Sequence, residues 1–379
     1  TLTLFALFGV WQATTGSLDI GPIASGSIAP GRADTIFMLA LIGFGLKAGL
    51  YPLQFWLPSA HAQAPSHVSA LLSGVLIKMG VYGVVRFVSL LPDPPLWWGV
   101  TILALGGVSG VLGVAFALGQ HDLKRLLAYH SIENIGIIFI GIGLALLGRA
   151  TGRAEWVVLG LGGALLHVWN HGLFKSLLFL AAGSAIRAAH TREIDHLGGL
   201  ARRMPMTSLA FLIGSAAICG LPPLNGFISE LWIFLGLFRA GIARGWESAA
   251  PIALIPVLAL IGGLALICFV KVFGVVFLGE PRHEHAAAAT ESPRGMLWPM
   301  APLAGACLWI GVFPATIAPW LDSACGCWLS GSSGAAGTVA ELPGGIASLV
   351  PLSALTATAL LLLLGLAAGW SRLRSSEAG

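Results

Sequence analysis

Apolar residues occupy long runs of the chain, and short polar segments separate them. A helix that crosses a bilayer needs about 20 predominantly apolar residues, and about ten runs approach that length. The predicted spans are 1–16, 35–57, 67–91, 97–119, 126–148, 155–187, 205–240, 251–279, 296–319 and 347–370. The pattern predicts an all-α polytopic membrane protein with about ten transmembrane helices.

The segments between the spans are short. The pattern predicts loops at 17–34, 188–204 and 320–346 and a tail at 371–379, none of them long enough to form a separate domain. The first run has neither a basic start nor a cleavage signature, so we do not interpret it as a signal peptide. The chain begins with Thr1 inside an apolar run, and we expect it to be truncated at its N-terminus.

Composition supports a membrane protein and gives little sign of bound cofactors. Of 379 residues, 56% are hydrophobic and only 9% are charged, whereas ordinary globular domains carry about a quarter charged residues. The five cysteines form no C-x-x-C pair, and no glycine-rich nucleotide loop follows a strand. We therefore expect no cofactor, no metal and no nucleic-acid partner.

Basic residues between the spans predict the orientation. If the spans alternate, one side carries ten Lys and Arg residues and the other carries six. The richer side should be cytoplasmic, together with the C-terminus. The ten are Lys124, Arg125, Arg187, Arg192, Arg202, Arg203, Arg282, Arg294, Arg372 and Arg374, and the six are Arg32, Arg86, Arg149, Arg153, Arg239 and Arg244.

One span contains a column of ionisable residues. The stretch 167–175 reads HVWNHGLFK, which spaces His167, His171 and Lys175 four residues apart. On an α-helix each such step turns the side chain by only about 40° and rises about 6 Å, so the three share one face. A charged Lys at the bilayer centre costs at least about 3 kcal/mol. We interpret this column as a proton carrier.

Three more lysines lie inside apolar spans, at Lys47, Lys78 and Lys271. No Arg lies near a span centre. This division has a chemical reason, because a desolvated Lys can release its proton whereas Arg stays charged. Lys271 is nearer the end of its span, so it either joins a relay or extends to the headgroups.

Proline interrupts two spans beside an ionisable residue. The first interruption, 47–58, reads KAGLYPLQFWLP and begins with Lys47, and the second, 220–230, reads GLPPLNGFISE and ends with Glu230. Proline breaks a helix, and freed backbone groups at membrane depth are tolerated only against protein or a wet cavity. Paired interruptions of this kind are typical of transporter sites built from two related halves.

Other ionisable residues allow two interpretations. Glu133 either joins the relay or lies at the membrane interface. His61 either brings protons to the cytoplasmic mouth or is an ordinary loop residue, and we favour the loop. Asp122 and the basic residues after it fit a solvated helix start with structural ion pairing.

Five stretches resemble the antiporter-like proton-translocating membrane subunits of respiratory complex I, multisubunit cation/proton antiporters and membrane-bound hydrogenases. They are KAGLYPLQFWLP at 47–58, ALLSGVLIKMGVYG at 70–83, DLKRLLAY at 122–129, residues 167–180 and residues 220–230. Within that family, the stretch 120–137, QHDLKRLLAYHSIENIGI, is most similar to the hydrogenase-4 and formate hydrogenlyase branch.

The resemblance implies a fold of two inverted five-helix repeats, each with a discontinuous helix. Residues 1–118 would be the remainder of the first half, 119–280 the second half, and 281–379 C-terminal helices and a tail. Lys47 would be the broken-helix Lys of the first half, Lys78 the Lys between the halves, and Glu230 the terminal acidic residue. Lys175 would be the central Lys, with His167 and His171 beside it.

These considerations favour a proton-translocating subunit of a redox-driven complex, with a relay of Lys47, Lys78, His167, His171, Lys175 and Glu230, and Glu133, Lys271 and His61 as further candidates. Its expected partners are other membrane subunits, a peripheral hydrogenase or NADH dehydrogenase type module on separate chains, lipid, and internal water that completes the relay. The expected location is a bacterial or archaeal inner membrane. The alternatives are a secondary Na⁺/proton antiporter subunit and a membrane anchor.

Overall fold

The fold is known from a computed structural model that describes residues 1–92, 94–243, 245–330, 351, 354–362 and 364–366. Arg244, Arg372 and Arg374 of the charge count lie outside the described residues, as do the predicted loop beyond residue 330 and the tail. Between residues 1 and 330 the α-helices, numbered in chain order, are α1 (Leu2–Thr15), α2 (Pro30–Ala48), α3 (Leu57–Gln63), α4 (Ser66–Leu71), α5 (Lys78–Leu90), α6 (Leu96–Leu118), α7 (Leu123–Ala150), α8 (Ala154–Ala189), α9 (Leu200–Arg203), α10 (Pro205–Ile218), α11 (Asn225–Gly241), α12 (Ala249–Phe277), α13 (Glu284–Ala288), α14 (Arg294–Leu297), α15 (Met300–Val312) and α16 (Ala318–Ser330).

The described part of the chain is all-helical, as the apolar pattern predicts. Six of its helical segments are long and apolar enough to cross a membrane without interruption. They are Ser66–Leu90, Leu96–Leu118, Leu123–Ala150, Ala154–Ala189, Trp246–Phe277 and Arg294–Val312. The chain is therefore a polytopic α-helical membrane protein.

Two predicted loops are shorter than expected. Helix α2 begins at Pro30, inside the predicted loop 17–34, because proline is favoured in the first turn of a helix. The loop prediction is wrong for residues 320–330, which belong to α16. There Cys325, Trp328 and Leu329 are buried in the main core cluster, and this packing outweighs the small-residue composition.

The predicted interruptions are present. Helix α2 ends at Ala48, Gly49 follows with φ of +76°, and the indole N–H of Trp56 donates to the Leu46 carbonyl oxygen at 2.8 Å. The second interruption separates α10 from α11, with Gly220 at φ of +61°. At the first interruption a protein side chain thus supplies a donor to a carbonyl near the helix end, as membrane depth requires.

Helix α7 lies at the centre of the molecule, between α6 and α8. Its most apolar 18-residue stretch is completely buried inside the protein. Glycines let α6 approach closely, because a Cβ added to Gly136 would lie 2.5 Å from the carbonyl oxygen of Gly106 and 2.5 Å from the backbone nitrogen of Gly110. At Gly113 an added Cβ would lie 2.6 Å from the nitrogen of Glu133. This contact therefore fixes where the α7 side chains lie.

We expect Gly136→Ala to destabilise the protein by about 1–3 kcal/mol, because the new methyl group has no room between two backbones. Gly262→Ala in α12 is a matched control, since an added Cβ there meets nothing within 4 Å. Thermal unfolding in detergent checks this. Equal stability of the two variants would contradict the close α6–α7 contact.

Candidate functional site

Helix α8 places the predicted column on one buried face. His167, His171 and Lys175 are all fully buried. The two imidazole rings are nearly parallel, with centroids 6.5 Å apart. The Lys175 ammonium donates to the Leu127 carbonyl oxygen of α7 and lies 5.9 Å from the centroid of the Phe179 ring.

His167 has hydrogen-bond partners for either protonation state. The Asn134 amide nitrogen donates to the His130 carbonyl oxygen, so its amide oxygen, 3.0 Å from His167 Nε2, accepts from Nε2–H. His167 Nδ1 lies 2.9 Å from the Ser229 hydroxyl. That hydroxyl can donate either to Nδ1 or to the Gly226 carbonyl oxygen at 3.0 Å, so Nδ1 has a partner with or without a proton.

A buried histidine–glutamate pair on α7 faces the column of His167, His171 and Lys175. His130 Nδ1 is hydrogen-bonded to the Glu133 carboxylate, and both side chains are almost completely buried. Lys175 is close enough to both residues to interact electrostatically. Glu133 is therefore a buried neighbour of the column and not an interfacial residue.

Ser73 and Ser131 lie between Lys78 and Lys175. The Lys78 ammonium, on a 7% exposed residue, donates to the Ser73 carbonyl oxygen in a wide helical turn before α5. The Ser73 and Ser131 hydroxyls are 2.8 Å apart, and Ser131 donates to the Leu127 carbonyl oxygen at 3.2 Å. Lys175 binds that same Leu127 carbonyl, so the two amines are bound by neighbouring residues, with the Ser73 backbone between the Lys78 ammonium and the pair of hydroxyls.

Several buried imidazole nitrogens have no partner among the described residues. They are both ring nitrogens of His61, both of His171 and Nε2 of His130. Buried polar groups normally have a partner, either protein or ordered water. His61 lies in α3, fully buried and stacked on Phe179 with ring centroids 4.8 Å apart, so the favoured interpretation of an ordinary loop residue is wrong.

Three predicted relay residues lie apart from the buried groups around Lys175. Lys47 is exposed at the end of α2, and Lys271 is half-buried and donates to the Leu118 carbonyl oxygen at 2.9 Å, where α6 ends. Glu230 is half-buried, and its carboxylate lies against Gly220, where an added Cβ would be 2.7 Å from Oε2. Of these three, Glu230 is close enough to Glu133 to interact electrostatically.

Sequence reasoning missed several polar residues that position the cluster. Asn170 on α8 donates to the Asn225 carbonyl oxygen at 2.7 Å and to the Ser229 hydroxyl at 3.0 Å, which ties the column to the start of α11. Glu133 and Asn134 follow His130 by three and four residues in HSIEN, a spacing that puts all three on one helix face. The spacing of apolar residues along α7 does not reveal that its apolar stretch is completely buried, so the polar face with His130 and Asn134 was not predicted as part of the site.

A polar clamp closes the end of the site beside α3. Asp122 accepts from the backbone nitrogens of Lys124 and Arg125 at the start of α7 and forms an ion pair with Arg192 at 2.6 Å. Arg192 donates to the Ala62 carbonyl oxygen at 2.7 Å, and Lys124 donates to that of Ala64. The predicted ion pairing is present, but the partner of Asp122 comes from the 188–204 loop.

Comparison with known proteins gives one family for most of the chain. The sequence profile described as NADH:quinone oxidoreductase/Mrp antiporter, transmembrane, matches residues 1–250. Over 310 residues the chain is 46% identical to hydrogenase-4 component B of Escherichia coli K12, covering 80% of this chain and 46% of that protein. Over 322 residues it is 41% identical to formate hydrogenlyase subunit 3 of the same organism, covering 84% of this chain and 52% of that protein.

The fold is also that of a solved membrane assembly. The chain superimposes on a chain of the Mrp complex from Dietzia sp. DQ12-45-1b with a TM-score of 0.70 and 21% identity, covering 91% of this chain and 67% of the other. At this identity the likeness concerns the fold alone. The chain spans about half the length of the curated relatives it matches.

We expect Asp122→Ala to loosen the 188–204 loop, because the substitution removes both the α7 N-cap, which contributes about 1 kcal/mol, and the buried end of an ion pair. Trypsin should then cleave at Arg192 faster than in the parent protein. Glu280→Gln is the control, since its ion pair with Arg202 at 3.5 Å is exposed on both sides. Unchanged cleavage in Asp122→Ala would argue against the clamp.

Proposed function

The chain belongs to the NADH:quinone oxidoreductase/Mrp antiporter transmembrane family, and we propose from this premise that it is a proton-translocating subunit of a redox-driven membrane complex. The observation that carries the proposal is the buried cluster of His130, Glu133, His171 and Lys175 inside membrane-length helices. Burying such groups costs free energy, so they mark a functional route by default.

The proposed route runs from Lys78 to Lys175 and then to Glu133 and Glu230. The Ser73 and Ser131 hydroxyls, which meet each other between the two lysines, support the first step. His171 and His130 have unpartnered nitrogens where water can complete the route, and His167 has partners with or without a second proton. Lys47, exposed at the end of α2, stays a predicted relay residue of the first half, upstream of the route proposed for the buried cluster.

Charge motion near Lys175 gives the route its direction. A carboxylate near a protonated amine favours the charged form, so a change in the Lys175–Glu133 distance changes how firmly the amine holds its proton. Redox chemistry on other chains would drive that change. The partners are thus a peripheral redox module of the hydrogenase or NADH dehydrogenase type and further membrane subunits. The similarity to hydrogenase-4 component B and formate hydrogenlyase subunit 3 supports the hydrogenase type.

The proposed architecture has about ten spans arranged as two inverted five-helix halves. The two interrupted helices support this arrangement, one between α2 and α3 and one between α10 and α11. Helix α6 packs more extensively against α7 than any other two helices of the described chain pack together. This contact favours counting α6 with the second half, so that the half begins near residue 96 and not at the expected residue 119.

The cytoplasmic side is proposed to be the side that carries the start of α7 and the 188–204 loop. On the opposite side, Arg149 donates to the Val88 and Leu91 carbonyl oxygens, just after Arg86 in the chain. Arg239 pairs at 3.3 Å with Glu155, just after Arg153. These contacts agree with the alternation assumed in counting loop charges. On this assignment protons enter beside α3, in a bacterial or archaeal inner membrane.

Replacing Lys175 tests the route. In the complete complex in vesicles, we expect Lys175→Ala and Lys175→Arg both to lose proton pumping, because neither side chain can bind and release a proton there. Lys271→Ala is the matched control, as Lys271 is also a span lysine but lies outside the cluster. Normal pumping by an assembled Lys175→Ala complex would refute the route, and sodium-dependent proton movement without electron transfer would favour an antiporter.

Replacing Glu133 tests the acidic partner. Glu133→Gln keeps the side-chain shape and can still hydrogen-bond to His130, but it removes the negative charge beside Lys175. We expect the rate of proton pumping to fall about tenfold or more. A tenfold change in the proton affinity of Lys175 needs a change of only about 1.4 kcal/mol in its interaction with Glu133. Glu155→Gln at the half-exposed ion pair with Arg239 is the control. Pumping by Glu133→Gln at the control rate would remove Glu133 from the route.

A further inference from the structure

Half of the histidines in this chain lie on one surface, away from the buried cluster. The sequence has ten histidines, and five of them are exposed on the side of the molecule that carries the clamp. They come from the start of α7, the 188–204 loop and the segment that follows α12. The five are His121, His190, His196, His283 and His285.

Four of these rings follow one another along this surface, and the fifth, His121, pairs with Asp195 beside them. The ring of His285 lies 5.3 Å from that of His190 and 5.2 Å from that of His283, and the ring of His283 lies 6.1 Å from that of His196, all measured between centroids. Next to His196 in sequence is Asp195, whose carboxylate lies 2.6 Å from His121 Nδ1. We call these five histidines with Asp195 the histidine row.

Backbone contacts hold the row in place. Arg282 donates to the Leu197 and Val275 carbonyl oxygens, both at 2.9 Å, and the Gly199 nitrogen donates to the Leu278 carbonyl oxygen at 3.0 Å. On the other side the Ile194 nitrogen donates to the His121 carbonyl oxygen at 2.8 Å. These contacts hold the backbone of the segments that carry the rings.

One end of the row meets the entrance to the buried cluster. His121 precedes Asp122, whose partner Arg192 binds the Ala62 carbonyl oxygen next to His61. His61 stacks on the Phe179 ring, and the Lys175 ammonium lies 5.9 Å from the centroid of the same ring. A row of exposed imidazoles thus ends at a clamp, and directly behind the clamp lies a buried imidazole with two unpartnered nitrogens.

We propose that the histidine row is a proton-collecting surface that takes protons from the aqueous phase and delivers them to His61. This inference rests on the proposed function. Histidine exchanges protons near neutral pH, and a protonated ring can pass its proton to the next ring or to Asp195 while it takes another from water. Among the described residues no three His, Cys, Asp or Glu side chains are placed to hold one metal ion, which favours proton exchange over metal binding.

The surrounding charges suit this role. Carboxylates stabilise protonated imidazoles and arginines disfavour them, and the segments that carry the row contain both. Neighbouring protonated rings repel each other, which keeps a collected proton mobile. The acidic neighbours are Glu193, Asp195, Glu280 and Glu284, and the basic ones are Arg187, Arg192, Arg202 and Arg282.

The experiment measures proton uptake by the complete complex in vesicles with a pH-indicating dye, at low and at high concentrations of imidazole buffer. The first variant combines His190→Gln, His196→Gln, His283→Gln and His285→Gln. A second variant, His190→Gln with His196→Gln, leaves intact the His283 side chain that caps α13. His67→Gln replaces an exposed histidine outside the row and is the matched control.

At low buffer we expect both row variants to lose part of the initial rate of uptake while the His67→Gln complex keeps it. At high imidazole the rate should recover, because a mobile buffer then delivers protons directly to the entrance. Row variants that match the parent at low buffer would overturn the proposal, and so would a loss that imidazole does not restore. The Lys175→Ala complex should fail at every buffer concentration, so this arm tests the proposed function separately from the row.

Discussion

An amine buried at membrane depth must be solvated by the protein itself, and the interior of this molecule is arranged around that requirement. The Lys175 ammonium obtains a carbonyl oxygen from Leu127, an aromatic face from Phe179 and a nearby carboxylate from Glu133. Each of these is supplied by α7 or by the next turn of α8. The neighbouring helices therefore have to hold α7 in one position, and the glycine contacts between α6 and α7 do so.

The same requirement explains the interrupted helices. An interrupted helix leaves additional carbonyl oxygens and N–H groups at the depth of the break. The Trp56 indole donates to the Leu46 carbonyl oxygen at the first break, and Asn170 donates to the Asn225 carbonyl oxygen where α11 begins after the second. The wide turn before α5 serves the same purpose on a smaller scale, because its Ser73 carbonyl oxygen receives the Lys78 ammonium.

Sequence alone predicted the membrane class, the two breaks and the alignment of His167, His171 and Lys175, since each depends on composition or on helical period. It failed where long-range packing decides. The burial of Glu133 and His61, for example, depends on how α3, α7 and α8 pack together. The partner of Asp122 is 70 residues away at Arg192, and the Ser73–Ser131 contact joins two helices. Neither pairing leaves a local pattern that a single sequence could reveal.

Helix α8 has a mechanical consequence of its own. Its 36 residues make a rod about 54 Å long, well beyond the roughly 30 Å of hydrocarbon it crosses. His190 caps one end of this rod, and Lys175 lies about 22 Å back along it, so the distance from the water-facing tip to the buried amine is set by rigid helical geometry. If Lys175 carries protons as proposed, a change in its surroundings must come from parts that slide or tilt against α8, such as the short α3, because a helix does not lengthen.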